Sequence, residues 1–126
     1  MTRKAIHTKG AAVVGPYSHA VRAGKLLYLS GQTPLDPATH KMLEGDVQIQ
    51  TAQCFQNLFA VLREAGMTPD HVVKVNVFLT DINDFDAMNE IYAAHFAQPF
   101  PARTTIGVAA LPLGARIEIE LIARKD

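Results

Sequence analysis

The chain has 126 residues, 48% of them hydrophobic, with 12 Lys and Arg balanced against 12 Asp and Glu. A chain of this length buries roughly two-thirds of the surface its unfolded form exposes, so one domain spanning residues 1–126 is expected to build a core without metals or disulfides. The neutral charge balance argues against a surface built to grip nucleic acid or an anionic membrane, and the longest apolar run, Leu58-Phe59-Ala60-Val61-Leu62, is far short of the ~18 residues of a membrane span. Residues 1–4 begin basic, but no apolar segment of a secretory signal follows, and Cys54 has no second cysteine to pair with. The expected compartment is the cytoplasm.

Gly15-Pro16 sets a turn before two short strands, residues 18–23 and 26–30, which meet around Gly24-Lys25 in a tight antiparallel hairpin. A polar loop over residues 32–45 follows, with Pro34, Asp36-Pro37 and Gly45 opposing regular structure. Residues 47–65 place Ala52, Phe55, Leu58, Phe59, Leu62 and Ala65 at three- and four-residue intervals, which predicts an amphipathic helix. Asp46 suits its N-cap, Gly66 its C′ position, and Pro69 prevents its resumption.

Residues 71–80 alternate as a strand, with Val73, Val75, Val77 and Leu79 on one face and Lys74, Asn76, Phe78 and Thr80 on the other. Phe85, Met88, Tyr92 and Phe96 form the stripe of a second helix, entered through Asn83-Asp84 and closed by Pro99 and Pro101. Two strands finish the chain. In residues 102–109, Arg103 and Thr105 alternate with Ala102, Thr104 and Ile106; in residues 116–124, Glu118 and Glu120 alternate with Ile117, Ile119 and Leu121. The pattern predicts an α+β fold, a single sheet with both helices on one face. Lys74, Asn76, Phe78, Arg103, Thr105, Glu118 and Glu120 are then expected to face away from the helices, either covered by a partner subunit or solvated as a half-wet sheet face.

His7, His19, His40, His71 and His95 show no metal-ligand spacing with one another or with Cys54, so no metal site is expected. Cys54 lies on the apolar stripe of the first helix, the place of a buried small hydrophobe. No phosphate loop or dinucleotide fingerprint is present. A polar set remains: Tyr17, Ser30-Gly31-Gln32, Arg103 and Glu118. Arg103 suits a bidentate contact with a carboxylate or, alternatively, a structural ion pair with Glu118 or Glu120 across the sheet. Glu118 suits general acid or base work, or simply a polar position on an alternating strand. From the residues alone, Tyr17 and Ser30 read as turn and strand-end residues before site residues.

Ile6, Gly15-Pro16-Tyr17-Ser18, Leu29-Ser30-Gly31-Gln32, Asn83-Asp84-Phe85 with Asn89, Phe100-Pro101-Ala102-Arg103 and Ile117-Glu118-Ile119-Glu120 together resemble the RidA/YjgF family of enamine and imine deaminases, in order and spacing across nearly the whole chain. The resemblance implies a chorismate-mutase-like α+β fold and a homotrimer whose sheets face its interior, with active sites between subunits. It implies hydrolysis of 2-imino acids such as 2-iminopropanoate and 2-iminobutanoate to 2-keto acids and ammonia, without a cofactor. By the same resemblance, Arg103 holds the substrate carboxylate and Glu118, rather than Glu120, serves the attacking water. Tyr17 and Ser30 act beside Glu118 in catalysis, and Gly31, Thr105 and Asn89 belong with Arg103 to the substrate-binding cleft. Thr105 stands where well-studied members carry a cysteine, which removes thiol chemistry but not the water nucleophile. Two other readings are a non-catalytic binder of small carboxylates, or chaperone, and an RNA-cleaving translation inhibitor. Zero net charge and the lack of a stacking-aromatic stripe count against the last.

Overall fold

The computed structural model of the chain describes residues 3–126; Met1 and Thr2, from the basic start of the sequence, lie outside the described residues. In chain order the elements are β1 (Lys4–Ile6), β2 (Ala20–Ala23), β3 (Leu26–Gln32), α1 (Val47–Glu64), β4 (Val72–Leu79), α2 (Phe85–His95), β5 (Ala102–Gly107) and β6 (Ile117–Arg124). The strands form one six-stranded sheet in the order β1-β2-β3-β6-β4-β5. All pairings are antiparallel except β4 with β5, which is parallel and therefore needs the crossover that α2 supplies. This is the expected mixed α+β sheet with two helices on one face.

The local rules account for most boundaries. Gly24 sits at φ +61, which lets β2 turn directly into β3 and pair Ala23 with Leu26. The Asp46 side chain accepts the Ile49 amide at 2.9 Å and caps α1, Gly66 at φ +75 ends it, and Pro69 opens a short 3-10 turn, Pro69–His71, into β4. Phe55, Leu58, Val61 and Leu62 of α1 are fully buried, in one core with Leu27, Val75, Val77, Ile117, Ile119 and Leu121 from the sheet. Each such side chain contributes about 1.5–3 kcal/mol by leaving water. Phe55 also joins the helices, stacking on His95 at 4.8 Å and meeting Phe96 edge-on at 5.4 Å.

The structure departs from the sequence pattern at three places. Strand β1, whose three residues are too short a run to show a pattern, pairs with β2 at a sheet edge. Val73 does not join the buried row, since the β4–β6 pairing shifts between Val72 and Lys74, leaving Val72 buried and Val73 exposed. The largest correction concerns β5. Its parallel register places Arg103 beside Val75 and Thr105 beside Val77, so both point to the helix side, whereas Thr104 and Ile106 join Asn76 and Phe78 on the opposite face. Glu118 and Glu120 do lie on that opposite face, beside Phe78 and Asn76.

Candidate active site

The first polar cluster forms where β3 and β6 fall out of register. The shift between Leu29 and Gln32 releases Ser30 and Gly31 from regular pairing. The Ser30 amide donates to the His19 carbonyl at 2.9 Å, and its hydroxyl donates to the Ser18 carbonyl at 2.6 Å. Glu118, on the neighbouring strand, reaches across this gap. A Cβ added at Gly31 would stand 3.1 Å from the Glu118 carboxyl carbon and 3.2 Å from Oε2, so the absence of a side chain is what lets the carboxyl lie there. The Tyr17 hydroxyl accepts the Val14 amide at 3.2 Å, which fixes the ring over the same space and leaves its proton free to be donated.

Together Tyr17, Ser30, Gly31, Gln32 and Glu118 line a cleft of about 310 Å³, walled on its apolar side by Val14, Leu35, Pro112 and Leu113. Burial pushes the Glu118 carboxyl above its ordinary range, and the like charge of Glu120 adds to the shift. Glu120 is occupied elsewhere, accepting from the Asn76 amide at 3.1 Å. A half-buried carboxyl with a raised pKa, open to a cleft, is equipped to take up and release a proton. Gln32, from the same polar run as Ser30 and Gly31, also reaches this cleft, with a buried amide nitrogen that has no hydrogen-bond partner among the described residues.

The second cluster surrounds Arg103 at the start of β5. Its Nη1 donates to Asn89 Oδ1 at 2.7 Å, and its guanidinium carbon lies 4.6 Å from the centre of the Tyr92 ring and 5.5 Å from that of Phe85. The expected alternative, an ion pair with Glu118 or Glu120, does not form. Among the described residues the ion pairs are Arg116 with Asp84, Lys25 with Asp126 and Arg124 with Asp126. Arg103 thus retains an unneutralised charge beside a cavity of about 300 Å³, lined by Asn89, Tyr92, Ala93, Phe100, Pro101 and Arg103 itself. The hydroxyls of Tyr92 and Thr105 are buried without a hydrogen-bond partner among the described residues. Nothing in the sequence marks Tyr92 and Phe85 as site residues, because their three- and four-residue spacing reads as a core stripe.

Other candidates stay structural. Cys54 is buried, its thiol 3.2 Å from the Gln32 carbonyl, and burial first and Glu118 second push its pKa well up, against thiolate formation. No group of three or more metal-ligating side chains occurs among the described residues, and none of their helices is long and apolar enough to cross a membrane.

The two clusters sit on opposite faces of the sheet, on strands two places apart, or ~10 Å laterally. Tyr17, Ser30, Gly31 and Glu118 come together, as do Arg103 and Asn89, but one chain does not unite the sets. Residues 8–125 match the family model described as Endoribonuclease L-PSP. The chain belongs to this family, the RidA/YjgF family of the motif resemblance. It is 50% identical to Protein DfrA of Myxococcus xanthus over 98% of this chain and 96% of that one. It is 46% identical to a mouse protein named 2-iminobutanoate/2-iminopropanoate deaminase, over 96% of this chain and 90% of that one. The crystal structure of RidA from the Antarctic bacterium Psychrobacter sp. PAMC 21119 superposes with a TM-score of 0.94, at 44% identity, covering 98% of this chain and 100% of that one. The RidA/YjgF fold is therefore the fold of this chain.

Proposed function

We propose that the chain is a hydrolytic deaminase of small 2-imino acids, such as 2-iminopropanoate and 2-iminobutanoate, acting as a homotrimer with its sites between subunits. The observation that carries this reading is the division of labour across the sheet: an anion-ready Arg103 without a counter-ion on one face, a proton-exchanging Glu118 in a cleft on the other. The family relationship and the deaminase name of the mouse relative support the substrate class. Arg103 forks onto the substrate carboxylate and so fixes the distance from the imine carbon to the Glu118 of a neighbouring subunit.

Glu118 accepts a proton from water as the water oxygen bonds to the imine carbon, and the C=N electron pair moves to nitrogen. Tyr17, with its hydroxyl proton free, and Ser30 keep the water and the developing amine in place. Glu118 returns the water proton to nitrogen and next carries the hydroxyl proton of the adduct to the amine. As the oxygen forms its C=O bond the C–N bond breaks, its electron pair leaving with nitrogen, and ammonia and the 2-keto acid are released. The imine carbon is already electrophilic, so placement and one proton acceptor suffice.

The test is a coupled assay in which an amino-acid oxidase or dehydratase generates the imine and release of the keto acid is followed with and without the protein. Acceleration that saturates with imine supports the reading. Binding of the keto acid without acceleration would leave a carboxylate-binding protein instead.

A further inference from the structure

The guanidinium of Arg103 is gripped by one stripe of α2. Phe85, Asn89 and Tyr92 follow at intervals of four and three, which brings all three to the same side of the helix. Asn89 takes Nη1 at 2.7 Å, while the rings of Tyr92 and Phe85 lie 4.6 and 5.5 Å from the guanidinium carbon. Nη1 to Asn89 is the only hydrogen bond Arg103 makes from its side chain among the described residues, so its Nη2 and Nε donors remain uncommitted. Tyr92 cannot drift: it is 5% exposed and packs on Phe55 at 5.7 Å and Phe96 at 5.0 Å. Its hydroxyl has no partner among the described residues, so the contribution of this residue to the cluster is its ring face.

We propose that Tyr92 and Phe85 are positioning residues for Arg103, aromatic faces that orient the guanidinium and aim its free donor edge at the substrate carboxylate. This rests on the reading of Arg103 as the carboxylate anchor. A planar cation over an aromatic face is attracted to the ring quadrupole, more so where water is excluded. An arginine held only by Asn89 would rotate about that one bond and lose the two-point geometry that a carboxylate needs. Because the carboxylate is held alike before and during the reaction, loosening the clamp acts on substrate binding rather than on the chemical step.

The test compares Tyr92→Leu, Tyr92→Phe, Phe85→Leu and Arg103→Ala. KM and kcat are measured on 2-iminobutanoate generated in place, with affinity for the stable product 2-oxobutanoate followed by magnetic resonance titration. Tyr92→Leu is expected to raise KM and weaken 2-oxobutanoate binding by roughly tenfold, and Phe85→Leu by about threefold, with kcat held within about twofold. Tyr92→Phe should rescue, keeping KM within about twofold of the parent. Phe85 is 38% exposed, so its variant reports on the clamp even if Tyr92→Leu fails to fold. Loss of affinity in Tyr92→Phe equal to that in Tyr92→Leu overturns the proposal, because the hydroxyl would then be the contact. So does an unchanged KM in Phe85→Leu, or a fall in kcat and melting temperature without a rise in KM. If Arg103→Ala itself leaves binding untouched, the carboxylate reading fails and takes the clamp with it. If only Arg103→Ala weakens binding, the clamp alone is wrong.

Discussion

Arg103 keeps a charge that no acid of its own chain neutralises, and this sets it apart from Arg116 and Arg124, which are paired. Arg103→Ala should therefore reduce kcat/KM for imine hydrolysis by about two to three orders of magnitude, the effect of losing a charge-assisted contact. Its melting temperature should barely move, since no ion pair is broken; a large drop would reveal a structural arginine. At Glu118 the raised pKa has burial as its first cause and Glu120 as its second. A base must be ionised, so the acid limb of the kcat/KM–pH profile should lie above the ordinary carboxyl value of 4.5. Glu120→Gln removes the second cause and should shift that limb to lower pH while leaving turnover largely intact. Glu118→Gln should depress kcat with little change in KM and abolish the limb. Linkage gives an independent check. Between 4.5 and its raised native value, Glu118 holds its proton in the folded chain but has released it in the unfolded one, so its contribution to stability falls as pH rises through that window. Glu118→Gln, always neutral, should gain stability relative to the parent over the same rise, as melting curves on both sides of the window would show.

Among the elements, α1 follows its sequence closely, from the Asp46 cap to Gly66, and Asp46→Ala should destabilise by about 1 kcal/mol in denaturant titration without touching activity. The irregular end of β3 behaves differently. There the strand loses register so that Gly31 can lie against the Glu118 carboxyl. Gly31→Ala should push that carboxyl by a few tenths of an ångström and lower kcat while circular dichroism stays native; full turnover would show that the close approach is incidental. Strand β5 marks the limit of periodicity. Alternation correctly groups Arg103 with Thr105, but it carries no sign: which group faces the helices depends on the parallel register with β4, a long-range pairing. Val73 failed for a related reason, since one extra residue in a bulge shifts the phase of everything before it.

For the whole molecule, the separation of Arg103 and Glu118 on opposite faces makes the monomer an incomplete site under the proposed mechanism. The uncovered face carries Tyr28 at 46% and Ile106 at 45% exposure beside half-buried Phe78, an apolar surface that other copies of the chain would cover. Sedimentation should find a trimer in dilute solution. A sharper check mixes two inactive chains, Arg103→Ala and Glu118→Gln, by refolding them together. If each site takes its arginine from one subunit and its glutamate from the next, random trimers restore about a quarter of the parent activity. No recovery, with mixed trimers demonstrated, would mean that both residues of a site come from one chain.

What the sequence determined by itself was local or cumulative: the two helices, the caps and turns, the hairpin, and the family to which the spaced motifs belong. It also singled out Tyr17, Ser30, Gly31, Asn89, Arg103 and Glu118, because polar residues at fixed offsets within recognisable motifs survive as a pattern without coordinates. Only the tertiary structure decided that these residues form two clusters rather than one, that Arg103 turns to α2 rather than to the glutamates, and that Phe85 and Tyr92 hold it. The physical reason is that helix periodicity and capping are written within a few neighbouring residues, whereas strand register, the direction of β5 and the stripe of α2 that meets it depend on pairings between distant segments.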